Sequence, residues 1–200
     1  MPAEGPAGSG IPEPSGPTAT ITDGRRRKGE RRRRLLLDAT LRVVGRDGVT
    51  AVTQRAVAAE AGLPPSAVLY YFATVDDLLV AALTGINDRC LAAIGVAPDD
   101  RAGTLAALAA FISGFAHQDR ALIVAEYELW LLAARRPALR GELDRWTAAL
   151  DAVAARLTAD PLRRVAFTAG VDGLLLRAAT SENALDAATT AAVLEVLADR

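Results

Sequence analysis

The stretch Thr53–Phe72, TQRAVAAEAGLPPSAVLYYF, leaves few folds open to this chain. Thr53 is a hydroxyl N-cap, whose oxygen accepts from a free amide of the first helical turn. Val57, Ala58 and Ala61 recur at helical spacing. Gly62 follows them, where a left-handed C-cap favours a residue without Cβ. Leu63 plugs the corner. Pro64 and Pro65 suit a helix start, because the amides that proline lacks are unpaired there anyway. A short second helix, Ser66 to Phe72, carries two adjacent tyrosines. Small Ala58, a glycine four residues later and the two-proline restart suit helices that cross closely. The pattern predicts a helix-turn-helix whose second helix is sized for a DNA major groove.

The charge distribution agrees. A net charge of −1 over 200 residues hides an asymmetry. From Arg25 to Arg55 there are eleven Arg or Lys against three acids, Glu30, Asp38 and Asp47, so the remainder is acidic. Cations gathered at one end point to a polyanion partner. RRRKGERRRR, residues 25–34, reads as an arm for DNA phosphates or the minor groove, against a solvated charge run as the alternative. Residues 1–24 are mostly Pro, Gly, Ser, Thr and Ala and are expected to be a disordered tail.

Composition narrows the class further. With 51% hydrophobic residues, much of them Ala and Leu, and 4% aromatics, the chain reads as all-helical and globular. One Cys (Cys90) and one His (His117) leave no intrachain disulfide, spell out no metal, redox or cofactor site, and fit a reducing cytoplasm. The start lacks the basic-then-apolar pattern of a signal peptide. No uncharged apolar run approaches about 18 to 20 residues, so no membrane association is expected.

About nine helices are predicted. The first runs from about Glu30 to Arg46, with Leu36, Ala39, Thr40, Val43 and Val44 inward. Asp47-Gly48 ends it. After the helix-turn-helix, Thr74 caps a long helix to Gly95, with Asp76 and Asp77 in its first turn. Five more follow, over about 101–117, 119–135, 137–158, 161–180 and 186–199, with Leu131, Val165 and Ala188 read among their inward residues. The domains expected are a basic arm and helix-turn-helix at 25–74 and a helical effector-binding and dimerisation domain at 75–200.

From about Leu36 to Leu79 the chain resembles the TetR family of transcriptional regulators. LLDATLRVVGRDGVTAVTQRAVAAEAGL carries the likeness through helix 1, the glycine stop, the capping threonine, the Val-Ala pair and Ala-Gly. Three positions depart from the family pattern. Leu69 stands where the family has a tyrosine, Tyr71 where a histidine is common, and Val75 where a phosphate-reaching lysine is usual. The resemblance implies a dimer on a palindromic operator, most simply a repressor released by a small molecule. A DNA-binding regulator controlled by a protein partner or by concentration is the alternative. An enzyme on this fold would need a nucleophile–base pair, and one His and one Cys offer none worth defending.

Candidate residues follow. Arg31, Arg32, Arg33 and Arg34 form the arm. Thr53 and the Gln54 amide suit a phosphate at the helix start, and Arg55 a phosphate or a guanine edge. Pro65, Ser66 and Ala67 lie at the end that enters the groove. Of Tyr70 and Tyr71, one hydroxyl is expected on a phosphate and the other ring against helix 1. Phe72 reads as core. The resemblance implies a ligand pocket among Asn87, Cys90, Phe111, Phe115, His117, Glu126, Tyr127, Trp130, Trp146, Phe167 and Asp172, with ordinary packing as the alternative for each. An enclosed cavity of at least about 300 Å³ would favour a ligand, and a filled core would exclude one. The last two helices resemble the family's dimerisation element. Ala169, Gly170 and Gly173 permit close approach, and Leu174, Leu175, Val193, Leu194 and Leu197 form an apolar face, against intrachain packing alone.

Overall fold

The computed structural model describes residues 18–95, 100–115, 120–181, 183 and 185–199, with 18–23 described by backbone alone. Among them are nine α-helices, one short 3₁₀ turn and no strand. The helices are α1 (Thr18–Asp47), α2 (Gln54–Glu60), α3 (Pro65–Tyr71), α4 (Val75–Gly95), α5 (Arg101–Phe115), α6 (Arg120–Ala133), α7 (Pro137–Ala155), α8 (Pro161–Thr180) and α9 (Ala187–Ala198). Contacts divide the chain between Arg34 and Leu35 into two units.

In the first unit, helix already runs from Thr18, twelve residues before the expected start at Glu30 and inside the stretch expected to be disordered. The glycines at 24 and 29 each cost about 1 kcal/mol, and the Arg and Lys around them are strong helix formers. Glu30 also stands four residues from both Arg26 and Arg34, the spacing that pairs opposite charges on a helix. Residues 1–17 lie outside the described residues.

The second unit has one continuous core. Leu36, Ala39, Thr40, Val43 and Val44 are buried on α1, as their spacing predicts, and the Thr40 hydroxyl donates to the Leu36 carbonyl at 2.8 Å. The helix stops at Gly48, whose φ of +83° is open to glycine at little cost. Thr74 and Asp77 open α4 as a reciprocal cap, the Asp77 amide donating to Thr74 Oγ1 and the Thr74 amide to Asp77 Oδ2, both at 3.0 Å. By length and apolarity α4 is long enough to cross a membrane, but eight of its side chains, from Leu78 to Ile94, are spent on the core.

Three inward assignments fail, the small Ala188 on α9 among them. Leu131 on α6 and Val165 on α8 are exposed. Each falls off the buried stripe of its helix, set by Ile123, Leu129 and Ala133 on α6 and by Phe167, Val171 and Leu174 on α8.

Candidate nucleic-acid interface and cavity

The corner between α2 and α3 is built from local bonds. Thr53 Oγ1 accepts from the Ala56 amide at 3.0 Å. At the other end of α2 the Leu63 amide donates to the Ala58 carbonyl at 2.9 Å and the Gly62 amide to the Ala59 carbonyl at 3.1 Å. This paired closure needs a left-handed residue, and Gly62 supplies it with φ +65°. The Gln54 side chain donates to the Ala73 carbonyl at 3.3 Å, tying the start of α2 to the end of the motif. Glu60 bonds Arg42 Nε at 2.7 Å and Arg46 Nη1 at 2.8 Å, which clamps α2 onto α1. Those hydrogen bonds hold the Glu60 carboxyl below its usual range, and they occupy two of the eleven cations.

With α2 fixed, α3 shows its faces. Val68 and Phe72 are buried, and Phe72 lies one residue past the helix as its C-cap. The opposite face presents Pro65, Ser66, Leu69 and Tyr70 to solvent, with Leu69 54% and Tyr70 81% exposed. Tyr71 is half-buried against the core, its ring edge-on to Tyr70 at 4.9 Å between centroids. Ala67 is half-buried. Thr53 and Arg55 are exposed and Gln54 half-buried at the start of α2. In the first unit Arg31, Arg32 and Arg34 are exposed and Arg33 is half-buried. Leu69, not among the residues expected to meet DNA, is one of the exposed positions of α3: it stands one residue, about 100° of helix, past buried Val68.

A cavity of about 180 Å³ opens between α5, α6, α7 and α8. Phe115, Tyr127, Trp130 and Trp146 give it aromatic walls, with the two indoles edge-to-face at 5.6 Å. Glu126, Asp172 and Leu175 complete the lining. Trp146 Nε1 donates to Asp172 Oδ1 at 3.1 Å. Burial pushes the Glu126 carboxyl up to about 7 and raises Asp172 and Tyr127. It also pushes the Cys90 thiol up to about 12.

The other pocket candidates lie elsewhere. Asn87 is buried, but its amide donates to the Glu142 carbonyl and carboxylate, both at 2.9 Å, as an α4–α7 tie. Phe167 is core, and Phe111 is half-buried beside Phe115. Cys90 lies behind the cavity, its Sγ 3.9 Å from Glu126 Oε1. His117 falls outside the described residues. Among the described residues no three His, Cys, Asp or Glu side chains converge as a metal site.

The expected dimer face needs correction. Leu194 is fully buried within the chain, Leu174 and Leu175 are buried, and Leu175 lines the cavity. A Cβ on Gly170 would stand 2.5 Å from Leu197 Cδ1, so that close approach belongs to α8 and α9 of one chain. Val193 and Leu197 are half-buried against the same core, and nothing stands within 4 Å of a Cβ on Gly173. The exposed apolar residues of α8 form a different stripe: Leu162, Val165, Ala169, Gly173 and Leu176. Ala169 and Gly173 of the expected face lie in this stripe, whereas Gly170 and the leucines pack within the chain, because both faces of α8 are rich in small and apolar residues.

The helix α6 touches the segment leading into α2 at two points. Glu128 Oε2 accepts from the Val49 amide at 2.7 Å, in the turn between α1 and α2. A Cβ on Gly45 of α1 would stand 2.0 Å from the Ala121 carbonyl oxygen, so the two backbones meet there.

Residues 36–82 match the model of bacterial regulatory proteins of the tetR family, and residues 99–200 that of the tetracyclin repressor-like C-terminal domain. The chain is 32% identical to the HTH-type transcriptional regulator BetI of Rhizobium meliloti, over 73% of this chain and 77% of that protein. A TetR-family structure from Streptomyces coelicolor A3 superposes with TM-score 0.74 at 37% identity, covering 83% of this chain and 97% of that one. The multidrug binding protein EbrR, complexed with ethidium, superposes with TM-score 0.68 at 37% identity, covering 83% and 98%.

Proposed function

The chain belongs to the TetR family of bacterial regulatory proteins, and on that premise we propose that it is a homodimeric repressor released from a palindromic operator by a small molecule in the α5–α8 cavity. The observation that carries this reading is the double role of α6. Glu126, Tyr127 and Trp130 wall the cavity, while Glu128 and Ala121 on the same helix meet the turn before α2 and the end of α1. A ligand that shifts α6 therefore shifts the base of α1 and the turn before α2. It favours the conformer in which two recognition helices no longer stand roughly 34 to 36 Å apart, one DNA turn.

In this reading Thr53 and the Gln54 amide meet a phosphate, and Arg55 a phosphate or guanine edge. Ser66 and Tyr70 supply polar contacts, and Pro65, Ala67 and Leu69 apolar contact with thymine methyls. The arm around Arg31, Arg32, Arg33 and Arg34 adds phosphate contacts in place of the lysine that Val75 replaces. The second chain covers the exposed α8 stripe from Leu162 to Leu176, a row of apolar residues at helical spacing. The EbrR complex with ethidium supports a small-molecule effector.

One observation favours the second reading, control by a protein partner or by concentration. The cavity's 180 Å³ falls short of the about 300 Å³ at which drug-sized pockets begin. Selecting bound sites from random duplex DNA and then screening compounds for release decides between them. The first reading expects a palindromic site and at least one releasing compound whose effect is lost when Trp130 or Trp146 is replaced. Release by none, or release indifferent to those residues, favours the second.

A further inference from the structure

The cavity's chemistry narrows what can occupy it. Its walls are four aromatic side chains and Leu175, and its polar groups are two carboxylates, Glu126 and Asp172. Among the described residues no Lys or Arg lines it. An anion would meet two negative groups and no donor cation. A neutral ligand would leave Glu126 as it is.

Glu126 differs from another half-buried glutamate, Glu142. The Glu142 carboxylate accepts from Thr84 Oγ1 at 2.8 Å and from Asn87 Nδ2 at 2.9 Å, and Arg145 Nη1 stands 3.4 Å away. Those partners make Glu142 a structural tie between α4 and α7. Among the described residues, Glu126 meets only the weakly polar Cys90 thiol, at 3.9 Å. Arg89 acts on it through its charge, but no ion pair within 4 Å joins them. A buried carboxylate without a close cation is costly to ionise and gains most from a cation brought to it. Aromatic faces beside it attract the same kind of group.

Resting on small-molecule control through this cavity, we propose that the ligand is a compact organic cation, its charge beside Glu126 and Asp172 and its apolar substituents against Tyr127, Trp130 and Trp146. The modest volume sets the size. Asp172 is exposed on its outer side and lies at the rim, while Glu126 faces inward on α6. A cation entering past Asp172 therefore meets the second carboxylate at depth.

Charge is tested apart from shape by two probes of the same outline, (3-hydroxyphenyl)trimethylammonium and neutral 3-tert-butylphenol. Binding is read by calorimetry and by emission of Trp130 and Trp146, the chain's two tryptophans. The cation is expected to bind at least about tenfold tighter than the phenol, the scale of one close charge contact. E126Q is expected to abolish the difference between the two probes, and D172N, at the rim, to reduce it with the fold intact. Among the described residues, the titratable or charged groups around Glu126 are Arg89 and Cys90 on α4, Tyr127 on α6 and Asp172 on α8. Of these groups Glu126 is the one set near neutrality, so cation affinity is expected to rise about tenfold from pH 6 to 8, and not in E126Q. Equal binding of both probes overturns the cation assignment and leaves small-molecule control standing. No binding of either also overturns it. If a wider compound panel then fails to release the operator, small-molecule control falls with it.

Discussion

The α2–α3 corner and the α5–α8 cavity are held together in opposite ways. At the corner, most bonds close within a few residues, Ala56 to Thr53, Leu63 to Ala58 and Gly62 to Ala59, and one side chain, Gln54, reaches across the motif to Ala73. Around the cavity they span long stretches of chain, from Cys90 to Glu126 and from Trp146 to Asp172. The corner's polar groups are paired within the motif, which suits a surface that must match a groove. The cavity keeps Glu126 without a close cation, which suits a site completed by something else. One helix, α6, belongs to both: Glu126 faces the cavity and Glu128, two residues on, caps the turn before α2.

The largest way to break this contrast is at the junction. Gly45→Ala would be stabilising by up to about 1 kcal/mol in an open helix. Here its Cβ would meet the Ala121 carbonyl. Thermal or urea unfolding is expected to show a loss of roughly 3 kcal/mol, the upper range of overpacking. A neutral result would mean that α1 and α6 do not meet as closely as described.

Within the corner, Arg55→Ala is expected to cost about 1 to 3 kcal/mol of operator affinity if the side chain reads a base. An equal loss on random DNA makes it a phosphate contact. Tyr70→Ala should lower operator affinity at unchanged stability, since Tyr70 is 81% exposed. Tyr71→Ala should lower stability, because its ring packs on the core. Calorimetric unfolding beside anisotropy on labelled DNA separates the two. Thr53→Ala removes the α2 cap and is expected to cost about 1 kcal/mol in stability.

The cavity side of the contrast is read by a pH slope in stability. The Glu126 carboxyl is raised in the folded chain, to about 7, so between its unfolded value and that point the folded state holds the extra proton. Its contribution to stability is therefore present in acid and declines as pH rises toward 7. Glu126→Gln should flatten that part of the curve. A slope unchanged in the variant would assign it to other groups.

The same contrast explains what the sequence discloses. Thr53, Gly62 and the two prolines are each dictated by neighbouring backbone, so the corner was legible residue by residue. Phe115, Tyr127, Trp130, Trp146 and Asp172 were legible only as residue types, since what gathers them is packing of four helices far apart in the chain. Asn87 and Phe167 share those types and are gathered elsewhere, one by Glu142 and one by the core. Gly170 was read as a place for a partner helix, and its neighbour is Leu197 of the same chain. The α1 start was misplaced because two glycines weigh less than the good helix formers around them.

The central claim is that filling the cavity and leaving the operator are one event, joined by α6. A single titration tests it, with a compound that binds the protein, a labelled operator duplex, and tryptophan emission and DNA anisotropy read in the same sample. The account predicts that anisotropy falls in step with the tryptophan change, and that Glu128→Ala uncouples the two. A tryptophan signal that saturates while the operator stays bound to the wild-type protein would contradict it.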